Sequence, residues 1–193
     1  MKSVVLIRHV ETDMAGRFCG HSDPEANPAG MRQIEEILPK VKSLGIERIF
    51  SSDLRRAEET ARAVSQKLSV PFELRHGLRE IHFGEWEGLS WQEIETAFPH
   101  EAELWIKEYP LRSPNGGETY DAFNARVTAE MASIVSVLPI STVAIVTHRG
   151  VMQSVMTRMF GISEPDARAM TERYGSVIVL RDGDLRTPQF ATV

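Results

Sequence analysis

The stretch Val4-Val5-Leu6-Ile7-Arg8-His9-Val10-Glu11-Thr12 decides the fold. Residues 4–7 are apolar without polar alternation, which reads as a short strand buried on both faces, the kind found inside a parallel sheet. Arg8 and His9 break the run at once, so polar chemistry is delivered where the strand ends. The same grammar recurs twice: residues 48–52 run into Asp53-Leu54-Arg55-Arg56, and residues 142–147 run into His148-Arg149.

The segments between these runs carry helical periodicity. Asn27-Pro28 supplies a cap and a proline at the first helical position, and Ile34, Ile37, Leu38 and Val41 share one face until Gly45 ends the unit. Asp53 is expected to cap a second helix with Ala57, Ala61, Val64 and Leu68 inward, and residues 70–74 read as a third strand. Residues 79–114 are less regular, with short helices: Ser90 and Glu93 have the spacing of a capping box, and Pro99 stops the helix they begin. A long amphipathic helix from Thr119 carries Phe123, Val127, Met131, Ile134 and Leu138, and another helix starts from Gly150. Residues 176–180 form a last core strand before an Asp182-Gly183 hairpin turn. Strands alternating with helices predict an α/β fold, a three-layer α/β/α sandwich with a mainly parallel central sheet. One domain over residues 1–193 is expected, with an irregular cap at about 79–117.

Composition narrows the function classes. Apolar residues at 42% and charged residues at 25% describe an ordinary globular chain rather than a disordered one. A net charge of −5 argues against a sequence-independent nucleic-acid binder, which needs a broad excess of Lys and Arg. Cys19 is the single cysteine, so no intrachain disulfide forms. The apolar start is too short for a signal-peptide core, and no run of about 18 apolar residues offers a membrane span. A cytoplasmic protein is the expectation, with no nucleic-acid or membrane partner, as monomer or homodimer.

In open α/β sheets ligands bind beyond the carboxyl ends of the strands. Three strand ends would therefore bring two histidines and several arginines to one cleft, with helix N-termini adding an affinity for anions. A phosphate dianion needs such charge compensation, and arginine forks match its oxygens. A neutral imidazole can attack phosphorus to give a phosphohistidine, and the leaving alkoxide then needs a proton from a carboxyl group kept protonated nearby. Glu80 sits among apolar and aromatic neighbours that would raise its pKa, with Glu85 and Glu87 as rivals. Arg56 competes with Arg55, since adjacent helical residues point about 100° apart. His9, His21 and His148 lack a compact metal-binding spacing, so no metal or other cofactor is expected.

These residues resemble the motifs of the histidine phosphatase superfamily, the phosphoglycerate-mutase-like fold, over nearly the whole chain. Arg8-His9-Val10-Glu11-Thr12 is similar to its Arg-His-Gly-Glu-Thr signature, and Ser51-Ser52-Asp53-Leu54-Arg55-Arg56-Ala57 to its phosphate-binding segment. Leu78-Arg79-Glu80 with Phe83-Gly84-Glu85-Trp86-Glu87-Gly88 resembles the stretch that supplies the acid. Gly116-Gly117-Glu118-Thr119 resembles the turn before a long helix, and Val146-Thr147-His148 the strand ending in the second histidine. The resemblance implies a metal-independent phosphatase acting on small phosphomonoesters. His9 would be the nucleophile and Glu80 the acid, with Arg8, Arg56 and His148 on the phosphoryl oxygens.

Thr12, Cys19, Gly20, His21, His82 and Arg149 are the further candidates for substrate contact. Trp86, Trp91 and Trp105 read as cap core, and Cys19 as a small buried residue rather than a reactive thiol. Features around Trp105, Pro110, Pro114 and Gly116-Gly117-Glu118 look similar to α-ribazole phosphatases. Phosphoglycerate-mutase-type transfer is the enzymatic alternative, and a silent phospho-ligand binder the other. Three departures from the family pattern bear on specificity and activity: Val10 and Arg149 stand where glycines are usual, and Ala15 where an asparagine is common.

Overall fold

The computed structural model describes residues 3–109, 112–136, 142–181 and 191–192. Its strands are β1 (Ser3–Arg8), β2 (Arg48–Ser51), β3 (Phe72–Leu74), β4 (Thr142–Thr147), β5 (Val177–Arg181) and β6 (Ala191–Thr192), in the order β3-β2-β4-β1-β5-β6. β3, β2, β4 and β1 run parallel, while β5 is antiparallel to β1 and β6 to β5. The register sets the site: Arg8 lies opposite Thr147, and Ser51 opposite Val146. His9 N–H donates to the Thr147 carbonyl at 2.8 Å and Ser52 N–H to the Val146 carbonyl at 3.0 Å, so the three strand ends emerge in one row.

Helices α1 (Pro28–Lys42) and α2 (Arg55–Leu68) cover one face of the sheet. Helices α3 (Trp91–Ala97) and α4 (Pro99–Glu108), with a single 3₁₀ turn at Gly84–Trp86, build the cap. Helices α5 (Tyr120–Ser136), α6 (Arg149–Phe160) and α7 (Glu164–Met170) cover the other face. The period of two along a strand divides the core. Val5 and Ile7 pack with Ile34, Ile37 and Val41 of α1, whereas Leu6 and Ile145 pack with Phe123, Val127 and Met152. The predicted α/β/α sandwich is thus the observed fold.

Local signals account for most element boundaries. Asn27 Oδ1 accepts the Gly30 N–H at 2.8 Å ahead of Pro28, and the Ser90–Glu93 capping box is complete. Pro99 stops α3 as expected, and the same residue starts α4 at once, because the first helical position needs no N–H. The cap of α2 is a correction. Asp53 does not cap it: the N-cap is Leu54, and the Arg55 N–H is accepted by Asp23 Oδ1 at 2.6 Å. Asp53 instead takes Arg79 in two bonds of 2.7 and 2.8 Å, a stronger use of a carboxylate than one backbone donor. Leu138 and the Asp182-Gly183 turn lie outside the described residues.

Candidate active site

His9 stands where β1 hands over to the loop, and its orientation is fixed by the backbone. Nδ1 lies 2.7 Å from the Val10 carbonyl oxygen. A carbonyl only accepts, so Nδ1 carries the hydrogen and Nε2 keeps its lone pair. Burial holds the imidazole well below the ordinary value of 6.5, and the charges of Arg56 and Arg8 push the same way. At neutral pH the ring is therefore uncharged, as a nucleophile must be. Val10 strains nothing: Ser69 is the only non-glycine residue with positive φ among those described, and the Val10 side chain is buried in the core beneath α1 and α2.

Arg8 turns its guanidinium over the Tyr174 ring, 4.0 Å from the centroid, and donates to the carbonyls of Thr171 and Glu172. The fork is thereby held beside His9, whose ring lies 5.5 Å from the same tyrosine. His148, the N-cap of α6, packs 5.0 Å from His9 and meets Ser52 Oγ through Nε2 at 2.8 Å. Its Nδ1 is buried with no hydrogen-bond partner among the described residues. Burial, then Arg56 and His9, hold this imidazole well below 6.5 as well.

Glu80 is buried against the first turn of α6. Oε2 accepts the Gly150 N–H at 2.9 Å and Oε1 the Ile81 N–H at 3.0 Å. A Cβ at position 150 would lie 2.3 Å from Oε1, so only glycine lets the carboxyl group in. Burial raises its pKa above 4.5 and outweighs those two bonds and the charges of Arg56 and Arg8. The backbone behind it is clamped: Arg126 donates to the carbonyls of Gly77, Arg79 and Glu80, and is itself held by Glu118 at 2.7 and 2.9 Å.

The rival carboxylate Glu87 is fully occupied. It accepts from the N–H groups of Gly20, His21, Ser22 and Phe83 and from Ser22 Oγ at 2.6 Å. Burial alone would raise its pKa, but these bonds, led by Ser22, bring it below 4.5. Two nearby carboxyl groups are thus driven apart, one toward the acid form and one toward the anion, the pattern expected of acid and structural partners. Glu85 takes only the Asn115 amide.

Two adjoining cavities meet at Glu80. A smaller one of about 300 Å³ is lined by Arg8, His9, Thr12, Cys19, Glu80, Arg149 and Tyr174, with Gly16, Arg17, Phe18 and Phe83. A larger one of about 480 Å³ shares Phe18, Glu80, Phe83 and Arg149 with it, and adds Trp91, Trp105, Tyr109 and Tyr120. Trp86 is cap core, as expected; Trp91 and Trp105 pack on that core and also face the larger cavity.

The remaining candidates divide. Thr12, Cys19 and Arg149 line the smaller cavity. Burial pushes the Cys19 thiol up, against a reactive thiolate. Gly20, His21 and His82 do not line either cavity. Gly20 is there for a close approach, since a Cβ would come within 2.2 Å of the Ile81 carbonyl and 2.3 Å of Glu87. His21 bonds the Glu80 carbonyl at 3.1 Å and stacks edge-on against His82, which accepts the Gly84 N–H. Arg56, rather than Arg55, is the buried one. Its head donates to the carbonyls of Cys19, Gly20 and Ser22, so it reaches the cavity through its charge and through the loop it holds. Arg55 pairs with Glu25 at the surface.

Sequence reasoning missed Tyr174, Ser52 and the Glu87 clasp. Tyr174 follows no apolar strand and sits in a loop before Gly175, whose φ is +67°; that aromatic-glycine pair beside β5 was the available signal.

Residues 4–187 match the histidine phosphatase superfamily (branch 1). A metal-independent phosphoserine phosphatase of Arabidopsis thaliana is 30% identical over 187 residues, 93% of this chain and 76% of that protein. An adenosylcobalamin/alpha-ribazole phosphatase of Escherichia coli (strain K12) is 26% identical over 159 residues, 81% of this chain and 78% of that protein. In fold, the alpha-ribazole phosphatase from Shigella flexneri superposes with a TM-score of 0.88 at 23% identity, over 99% of this chain and 96% of that one. With a buried histidine, a carboxyl group whose pKa burial raises and arginines around one cavity, this chain belongs to branch 1 of the histidine phosphatase superfamily.

Proposed function

We propose that this phosphomonoester hydrolase works through a phosphohistidine at His9, with Glu80 as the acid. In the first step a bond forms between His9 Nε2 and phosphorus as the P–O bond to the leaving group breaks. The Glu80 proton passes to the departing oxygen. In the second, Glu80, now a carboxylate, takes a proton from water, the hydroxyl attacks phosphorus, and the Nε2–P bond breaks. Arg8 meets the phosphoryl oxygens directly, while Arg56 and His148 support them from beneath the cavity. No metal is required, because the stabilising charges are side chains that need no reorganisation.

The observation that carries this reading is the place of Glu80. It is the one carboxyl group shared by the cavity that His9 lines and the larger cavity beside it. A phosphate in the first with its organic group in the second puts the scissile oxygen next to the acid. Support for a bulky, planar leaving group comes from Trp91, Trp105, Tyr109 and Tyr120. α-Ribazole phosphate is one compound of that class, suggested by the name of the Escherichia coli relative. Thr12 and Cys19 would line the phosphate and Arg149 the wall toward the leaving group, with Gly20, His21 and His82 shaping the loop behind the site. We take the chain to work as one domain.

Rapid quench with ³²P-labelled substrate tests the mechanism. An acid-labile, base-stable phosphoenzyme should appear in the wild type and be absent from His9→Ala, whose turnover should vanish. Near-normal turnover by His9→Ala would end the proposal. Faster phosphate release from α-ribazole phosphate than from a generic aryl phosphate would support the finer substrate reading, and equal rates would remove it.

A further inference from the structure

The larger cavity has an electrostatic bias that the phosphate alone does not use. Its charged lining consists of Arg112, Arg149 and Arg168 against the single acid Glu80, on a chain whose net charge is −5. Arg112 has only a long contact of 3.6 Å to Glu108, and both side chains are well exposed. For Arg149 and Arg168 no ion pair is found among the described residues. The phosphate has its own partners: Arg8 lines its cavity, and Arg56 lies beneath it on the loop carbonyls. Arg149 stands at the wall between the two cavities; burial lowers the pKa of the Arg8 guanidinium, and the charge of Arg149 pushes the same way.

We infer that the leaving group of the natural substrate carries its own anion, a carboxylate or second phosphate, which sits in the aromatic cavity against Arg149 and Arg168. This rests on the phosphatase reading above and puts an acidic ester in place of α-ribazole phosphate as the favoured substrate. The rings of Trp91 and Trp105 cover the flat apolar part of the leaving group, and the arginines take its charged end in the fork geometry that suits such oxygens. An ordering within the substrate class results: acidic aryl esters ahead of uncharged ones, and so ahead of α-ribazole phosphate.

Three compounds with one ring test this: phenyl phosphate, 4-carboxyphenyl phosphate and 1,4-phenylene bisphosphate. kcat/KM is measured for wild type, Arg149→Gln and Arg168→Gln. Dissociation constants are measured with His9→Ala by quenching of tryptophan fluorescence, which needs no turnover. Either acidic ester should be preferred over phenyl phosphate by about tenfold at low salt, in kcat/KM and in affinity, as for a charge-assisted contact at a partly exposed site. Preference for the carboxylate identifies a carboxylated substrate, and preference for the bisphosphate a bisphosphorylated one. Each arginine substitution should cut the ratio several-fold, and salt should weaken it. A wild-type ratio at or below one for both acidic esters, or a ratio that neither substitution moves, overturns the inference. If no ester is hydrolysed the phosphatase reading fails, while the affinity ratio in His9→Ala still decides this one.

Discussion

His9 and His148 pack with ring centroids 5.0 Å apart and planes tilted by 56°, and burial depresses the pKa of both. Two adjacent imidazoles inside a cationic pocket stay uncharged in the native state. The unfolded chain takes up their protons first as the pH falls through about 6.5. Stability should therefore be full above that value and decline below it. Urea unfolding midpoints at about pH 7.5 and 5.5 check the sign, and His148→Asn should flatten the dependence. Glu87 and Asp53, whose pKa values are lowered, contribute stability that is lost only as the pH drops below the ordinary carboxylate range.

Glu80→Gln removes the proton donor and keeps the shape. Its kcat/KM on phenyl phosphate, which reports the phosphorylation step and not the later hydrolysis by water, should fall by about 10² to 10⁴. On 4-nitrophenyl phosphate, whose leaving group needs little help, the loss should be much smaller. A uniform loss on both esters would mean that Glu80 does not protonate the leaving group. Because burial raises its pKa, the alkaline limb of the wild-type pH profile should lie above the usual carboxylate range and vanish in the variant.

Glu87→Ala should leave four backbone N–H donors without their common acceptor. A stability loss of about 2 kcal/mol is expected, for a half-buried carboxylate making several charged hydrogen bonds. KM should rise more than kcat falls, since this side chain takes the three backbone N–H groups of the Gly20–Ser22 loop and ties them to the cap. Chemical denaturation and steady-state kinetics measure the two effects.

Tyr174→Ala takes away the ring under Arg8. Cation–π contacts of this kind are worth about 1 kcal/mol, so KM for any phosphomonoester should rise several-fold. Tyr174→Phe should restore most of the loss, because the ring and not the hydroxyl carries the contact.

Gly20→Ala puts a Cβ 2.2 Å from the Ile81 carbonyl. Backbone must shift to admit it, and about 1–3 kcal/mol of destabilisation is expected by thermal melting.

Much of the fold was legible because its signals are local. The apolar runs before His9 and His148, the Asn27 cap and the Ser90–Glu93 box each depend on a few adjacent residues. The site residues at strand ends were legible for the same reason. Asp53 looked like a cap because only its neighbours were visible, whereas Arg79, which claims it, is distant in sequence. Arg56 could be chosen over Arg55, but that its head would be taken by loop carbonyls depends on where that loop lands. The stacking of Tyr174 under Arg8 likewise requires α7 to return to β1, which no spacing encodes.

β1 lies between β4 and β5, and so the strand that leads into His9 is paired on both sides with segments distant in sequence. During synthesis residues 3–8 must wait for residues 142–181 before they can be held in place. Such distant pairings slow folding, and they make assembly of the reactive centre a late event. A nascent or truncated chain lacking β4 and β5 carries His9 without its surroundings. The pocket around His9 therefore closes only with the finished sheet.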